Sequence, residues 1–167
     1  MISFDEIIHY IQSPLPYKQK LISIINDEGL QIIVDSPSNL FNNNYTIKIE
    51  GLERYSQSIF DKCQTLAKQY DHYGPVTCHA FIAHKNSPSF GMHTDPDDVY
   101  IYCIDGKKTM IIGNESITIE KDEYVFIPAN IPHMATNQEF AVTLSFGLEK
   151  FLKDKLNNEL HVLSKDD

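Results

Sequence analysis

The sequence predicts a mainly β domain with flanking helices, its short antiparallel strands forming a sandwich or barrel of jelly-roll type. Three observations carry that prediction. From Val76 onward the runs "VTCHAFIAH", "VYIYCID", "KTMIIG", "SITIE", "YVFIP" and "AVTLSFGL" are rich in Val, Ile, Tyr, Phe and Thr, the residues that suit a pleated, half-buried surface. Turn chemistry separates them, at Asn86-Ser87-Pro88, Asp105-Gly106, Gly113-Asn114, Lys121-Asp122 and Ala129-Asn130. Helical periodicity is confined to the segment before Gly74-Pro75 and to the tail.

Taken in order, Phe4 to Ile11 reads as a short amphipathic helix that Ser13-Pro14 ends. In "LISIINDEGLQIIVD", Asp27-Glu28-Gly29 is a turn signal before a β-branched run at Ile32 to Val34. "SPSNLFNNNY" reads as a polar loop, and "YTIKIEG" alternates as a strand does. In "LERYSQSIFDKCQTLAKQY", Leu52, Tyr55, Ile59, Cys63, Leu66 and Tyr70 recur at spacings of three and four, one buried stripe of a helix. The tail, "LEKFLKDKLNNELHVL", predicts a closing helix with Phe151, Leu152 and Leu156 on one side. The 167 residues fit one domain: helices and edge strands over 1–75, the β core over 76–148, the C-terminal helix over 149–167.

The composition narrows the function classes. A formal charge of −9 argues against a nonspecific grip on nucleic acid or an anionic membrane. Cys63, Cys78 and Cys103 form no C-x-x-C pair and read as hydrophobic fillers in a reducing compartment. The start, "MISFDEIIHY", lacks the basic and apolar regions of a signal peptide, and no run approaches a membrane span. A soluble cytoplasmic protein, monomer or homodimer, is the expectation.

Among the seven histidines, His93 stands out for its company. On a strand, residues i and i+2 face the same side, so His93 and Asp95 can point together into the fold. In "YVFIPANIPHMATN", His133 follows a strand and a Pro-containing turn and can face back toward them. Two imidazoles and one carboxylate make a facial triad, a ligand set that suits Fe(II) and leaves positions open for substrate and O2. The competing reading makes "HTDPDD" a polar turn and His133 a turn residue. Asp97 and Asp98 would then be solvated, or would attract a cationic substrate group beside a metal.

These residues resemble the cupins, and within them the JmjC-type 2-oxoglutarate oxygenases, nearest the ribosomal-protein hydroxylases. The first cupin motif, G-x5-H-x-H-x3-E-x6-G, is matched by His93, Asp95 and Gly106, with Val99 in place of the Glu. The second, G-x5-P-x-G-x2-H-x3-N, is matched by Pro128, His133 and Asn137, with Asp122 and Asn130 in place of its glycines. The resemblance covers about Leu52 to Leu148. It implies a double-stranded β-helix, the jelly-roll cupin barrel. It implies metal ligation by His93, Asp95 and His133, which would be the catalytic centre, with Lys108 and Ser145 on the distal carboxylate of 2-oxoglutarate.

The family's upstream Asn and Tyr are replaced by His79 and Phe81, which makes His79 a substitute cosubstrate contact. After Phe151 the family's dimerisation and winged-helix domains are not expected. The implied activity is Fe(II)- and 2-oxoglutarate-dependent oxygenation, a hydroxylation of a peptide or protein side chain or of a small metabolite, with O2 as cosubstrate. Two alternatives stand beside it: a metal-dependent cupin acting on a small metabolite without 2-oxoglutarate, and a non-enzymatic ligand-binding cupin.

Overall fold

The computed structural model describes residues 1–41 and 43–155. Helix α1 (Phe4–Gln12) starts at a reciprocal cap: Glu6 N–H donates to Ser3 Oγ at 3.2 Å, and Ser3 N–H to the Glu6 carboxylate at 2.7 Å. Asp5 and Glu6 also sit favourably in its first turn, at the positive end of the helix dipole. A short helix α2 (Leu15–Lys18) leads to strands β1 (Ile22–Ile25), β2 (Gln31–Ile33) and β3 (Thr46–Ile49). Helix α3 spans Gln57–Gln69, and Leu52–Arg54 before it is a 3-10 turn. Leu52, Ile59, Cys63 and Leu66 of the expected stripe are buried, whereas Tyr55 lies outside the helix and is exposed. Burying each large aliphatic side chain contributes about 1.5–3 kcal/mol.

The strands that follow are β4 (Val76–Ala83), β5 (Asp98–Ile112), β6 (Glu115–Glu120), β7 (Tyr124–Ile127), β8 (His133–Ala135) and β9 (Ala141–Leu148). All pairings are antiparallel. The back of the sheet carries Ile47, Ile49, Cys78, Ala80, Ile82, Leu144 and Phe146, which join α1 and α3 in the main core. The front carries Lys48, His79, Phe81, Thr143 and Ser145, the alternate positions of the same strands.

Two expectations need correction. "VYIYCID" and "KTMIIG" are one strand, β5, and Asp105-Gly106 is not a reversal. The register slips between Cys103 and Asp105 against β9, and Gly106 adopts a left-handed φ of 73°. A Cβ there would collide with the Phe140 carbonyl, which accepts Lys107 N–H at 3.0 Å. This bulge bends the strand without reversing it as a hairpin turn would. The first arm of β5 pairs with β7 and β9, and the second with β6 and β8.

The second correction concerns closure. Among the described residues the expected double-stranded β-helix barrel is not formed: the sheet is open, in the order β2-β1-β3-β4-β9-β5-β6, with β7 and β8 attached only to β5. Residues 84–97, which would have to extend the ladder, contain Pro88 and Pro96 and make a single bridge, between His93 and His133. Proline has no N–H to donate to a ladder, so pairing stops there. A short helical turn covers 152–155, and the remainder of the expected closing helix, with Leu156, lies outside the described residues. No helix among the described residues is long and apolar enough to cross a membrane.

Candidate metal centre

Val99 and Ile101 of the first arm of β5 and Lys108 and Met110 of the second line one cavity of about 110 Å³. Its walls include His93, Asp95, Val99, Lys108, His133 and Ser145. His93 and His133 are joined through the backbone, each N–H donating to the other's carbonyl at 3.0 and 2.9 Å. Asn130, at the left-handed turn before His133, donates its N–H to the Asp95 carbonyl at 2.8 Å. The three residues are therefore positioned by main-chain bonds.

Their side chains converge. One ligand atom from each of His93, Asp95 and His133 lies within 4.8 Å of the others. His133 Nε2 is 3.3 Å and His93 Nε2 3.9 Å from Asp95 Oδ2. Neighbouring ligands on an octahedral ion with 2.1 Å bonds would stand about 3 Å apart, so little movement is needed to accept one. His93 Nδ1 lies 2.8 Å from the Gly91 carbonyl and His133 Nδ1 2.9 Å from that of Ile131. A carbonyl can only accept, so each Nδ1 carries the proton and each Nε2 lone pair is free to face an ion. The His133 imidazole beside Asp95 holds that carboxyl below its ordinary range, and Asp95 in turn raises His133. Val99, at the position where a fourth cupin ligand would stand, adds only an apolar wall.

Lys108 and Ser145 both line the cavity. Lys108 is 6% exposed. Its Nζ donates to Asn137 Oδ1 at 2.8 Å, and among the described residues no carboxylate pairs with it. Burial pushes its pKa down to about 8. His79 stands opposite Ser145 on the same face, but it is not part of the cavity wall. Among the described residues its buried Nδ1 has no hydrogen-bond partner, and burial, followed by the Lys48 charge, lowers its pKa.

Asp97 and Asp98 are engaged locally: Asp97 accepts Lys150 N–H and pairs with Lys155 at 2.8 Å, and Asp98 accepts Ala129 N–H at 2.8 Å. Thr143 and Phe90 also line the cavity and were not singled out in the sequence. The period of two along β9 carries the signal for Thr143, two residues before Ser145 on the same face.

With this geometry in place, similarity to known proteins adds the family context. The model of the family described as Cupin domain matches residues 79–145, less than half of the chain. Solved structures of the ribosomal oxygenase YcfD from Escherichia coli superpose over 99% of this chain. The complex with cobalt and 2-oxoglutarate gives a TM-score of 0.68 at 15% identity. The complex with cobalt and succinic acid gives 0.68 at 16%, and a further structure of the enzyme gives 0.67 at 16%. The fold is cupin-like, with its sheet left open. The chain spans about half the length of those oxygenase chains, 49% in each case. No curated protein matches the sequence.

Proposed function

We propose that this cupin is an Fe(II)- and 2-oxoglutarate-dependent oxygenase, a hydroxylase of a peptide or protein side chain or of a small metabolite. The observation that carries the reading is Lys108: a buried ammonium in the same cavity as the triad, with one neutral partner at 2.8 Å. A buried cation without a counter-charge is costly, and an anionic ligand in the cavity removes that cost. The ligand must also reach the triad, which suits a 2-oxo acid that chelates a metal at one end and carries a second carboxylate at the other. The YcfD structures with cobalt and 2-oxoglutarate show the same pairing of ligands on a similar fold.

His93, Asp95 and His133 would hold the iron, and their donor set fits it: two neutral imidazole nitrogens, each fixed by a carbonyl behind it, and one carboxylate. Bound iron and 2-oxoglutarate would supply the oxidation, with O2 consumed, succinate and CO2 released, and one oxygen atom placed in a C–H bond of the substrate. Lys108 orients the cosubstrate by its far carboxylate, and the Ser145 hydroxyl in the same cavity supplies a second donor. Val99, Ile101, Met110 and Phe81 exclude water from the space between.

The test is succinate formation from 2-oxoglutarate with Fe(II) and ascorbate, comparing wild type with Lys108→Ala and His93→Ala. Turnover in the wild type and its loss in both variants is the expected result. A wild type that neither binds nor turns over 2-oxoglutarate would overturn the reading, and metal binding alone would favour a cupin that works without this cosubstrate.

A further inference from the structure

We infer that Asn137 is a positioning residue that keeps the Lys108 charge available to an anion, and that this makes the cavity read the second carboxylate of its ligand. The inference rests on the 2-oxoglutarate reading above and extends it to a residue outside the metal set.

Asn137 is 2% exposed and its side-chain amide is engaged at both ends. Nδ2 donates to the Ser87 carbonyl at 3.0 Å, which leaves Oδ1 facing Lys108 Nζ at 2.8 Å. The reverse orientation would set an NH2 against an ammonium and a carbonyl against a carbonyl, so the surrounding bonds admit one arrangement. The main chain is held as well: Asn137 has a left-handed φ of 47°, and its carbonyl accepts Asn86 N–H at 2.7 Å. One of the three ammonium donors is thereby used in a fixed direction, and two remain for a ligand.

The neutrality of Asn137 is the decisive property. A carboxylate at this position would form a buried ion pair with Lys108 and compete with any incoming anion. An apolar residue would leave the ammonium without a fixed direction. The amide orients the charge without neutralising it. Thr143 and Ser145, which also line the cavity, offer hydroxyls to the same ligand.

Binding of two 2-oxo acids to protein loaded with Mn(II), measured by calorimetry, tests this. 2-Oxoglutarate has the second carboxylate, whereas 2-oxobutanoate offers only the metal-chelating end. The wild type is expected to prefer 2-oxoglutarate. Asn137→Asp should weaken 2-oxoglutarate by roughly ten- to a hundredfold, the range for a buried charged hydrogen bond, and leave 2-oxobutanoate nearly unchanged. Asn137→Ala should reduce the preference in the same direction. In a Lys108→Met background, Asn137→Asp should add no further loss, because the residue acts through the lysine. Equal weakening of both acids would mean that Asn137 only supports the 86–88 segment, and would overturn the inference, as would a preference left intact in both single variants. A wild type without preference would instead sink the 2-oxoglutarate reading itself, so the two failures are distinguishable.

Discussion

Replacing Lys108 by Met should change the stability of the ligand-free protein in a pH-dependent way that isolates the buried charge. Folding moves the ammonium from the ordinary 10.5 to about 8, chiefly through burial. The unfolded chain holds this proton more tightly, so the charge destabilises the native state in full below pH 8. The cost then fades as pH rises toward 10.5. The shift corresponds to about 3 kcal/mol at pH 7, of which about 2 remains at pH 9 and about 1 at pH 10. Met fills a similar volume without charge, but it leaves Asn137 Oδ1 without its donor. That loss of about 1–3 kcal/mol does not vary with pH, so it sets an offset and no slope. Cys63, pushed up to about 12, titrates in both proteins and cancels, whereas Cys103 feels the Lys108 charge, so both proteins carry Cys103→Ala in this comparison.

Urea unfolding followed by circular dichroism, run on both proteins at pH 7, 9 and 10, gives the difference directly. The advantage of the variant over wild type should shrink by about 2 kcal/mol across that range. Saturating Mn(II) and 2-oxoglutarate should abolish the slope, because a bound carboxylate restores the ammonium. A difference that stays constant from pH 7 to 10 would refute the assignment of a desolvated, unpaired cation.

The remaining predictions concern the metal ligands and the frame that holds them. Asp95→Asn removes the oxygen on which both Nε2 atoms converge, and should weaken Mn(II) or Co(II) binding by more than the roughly 10–100-fold typical of outer-shell changes, read by calorimetry. In wild type, Asp95 favours the protonated form of His133 at low pH, and that proton must leave Nε2 before a metal binds, so apparent affinity should rise with pH by at least about tenfold per unit below that raised pKa and level off above it. Gly106→Ala meets both a left-handed φ of 73° and the Phe140 carbonyl; a loss of at least about 1–3 kcal/mol in urea unfolding is expected. Ser3→Ala removes the α1 cap and should cost about 1 kcal/mol with no effect on metal affinity.

What the sequence made legible follows from how local each signal is. His93 and Asp95 could be paired because a strand-like i, i+2 spacing puts side chains together whatever the rest of the chain does. The α3 stripe was legible for the same reason, although its helix begins at Gln57 and leaves Tyr55 outside. Asp105-Gly106 carries an ordinary hairpin signal and was misread, because a left-handed glycine serves a bulge as well as a turn. The contact that decides between them is with Phe140, 34 positions away. Closure of the sheet is likewise a property of non-local partners. Two prolines in 84–97 were visible, but their effect depends on which strand they would have met. Asn137 was visible as a motif position, whereas its use emerges only once Lys108 is seen to be buried against it.

The proposed cosubstrate site is organised largely by one strand. β5 begins three residues after Asp95, carries Lys108 past the bulge, and ends at Ile112, which pairs with His133. Between Lys108 and Ile112 the chain advances four residues, about 13 Å at the ordinary rise of a strand. On the proposed reading, that interval is bridged by a lysine side chain reaching one way and a five-carbon dicarboxylate reaching the other. A loop could adjust its span to ligands of different length; a strand paired on both sides, to β6 and β8, cannot. The bulge at Gly106 matters for the same reason. By bending the strand, it lets residues of both arms line one cavity, together with Ser145 of β9. A residue inserted between 108 and 112 would rotate Lys108 out of the cavity as well as lengthen the span, because the side-chain period along a strand is two. The spacing of fifteen residues between His93 and Lys108 is thus tied to the geometry of the fold: it is the path from one end of the proposed ligand, around the bend, to the other.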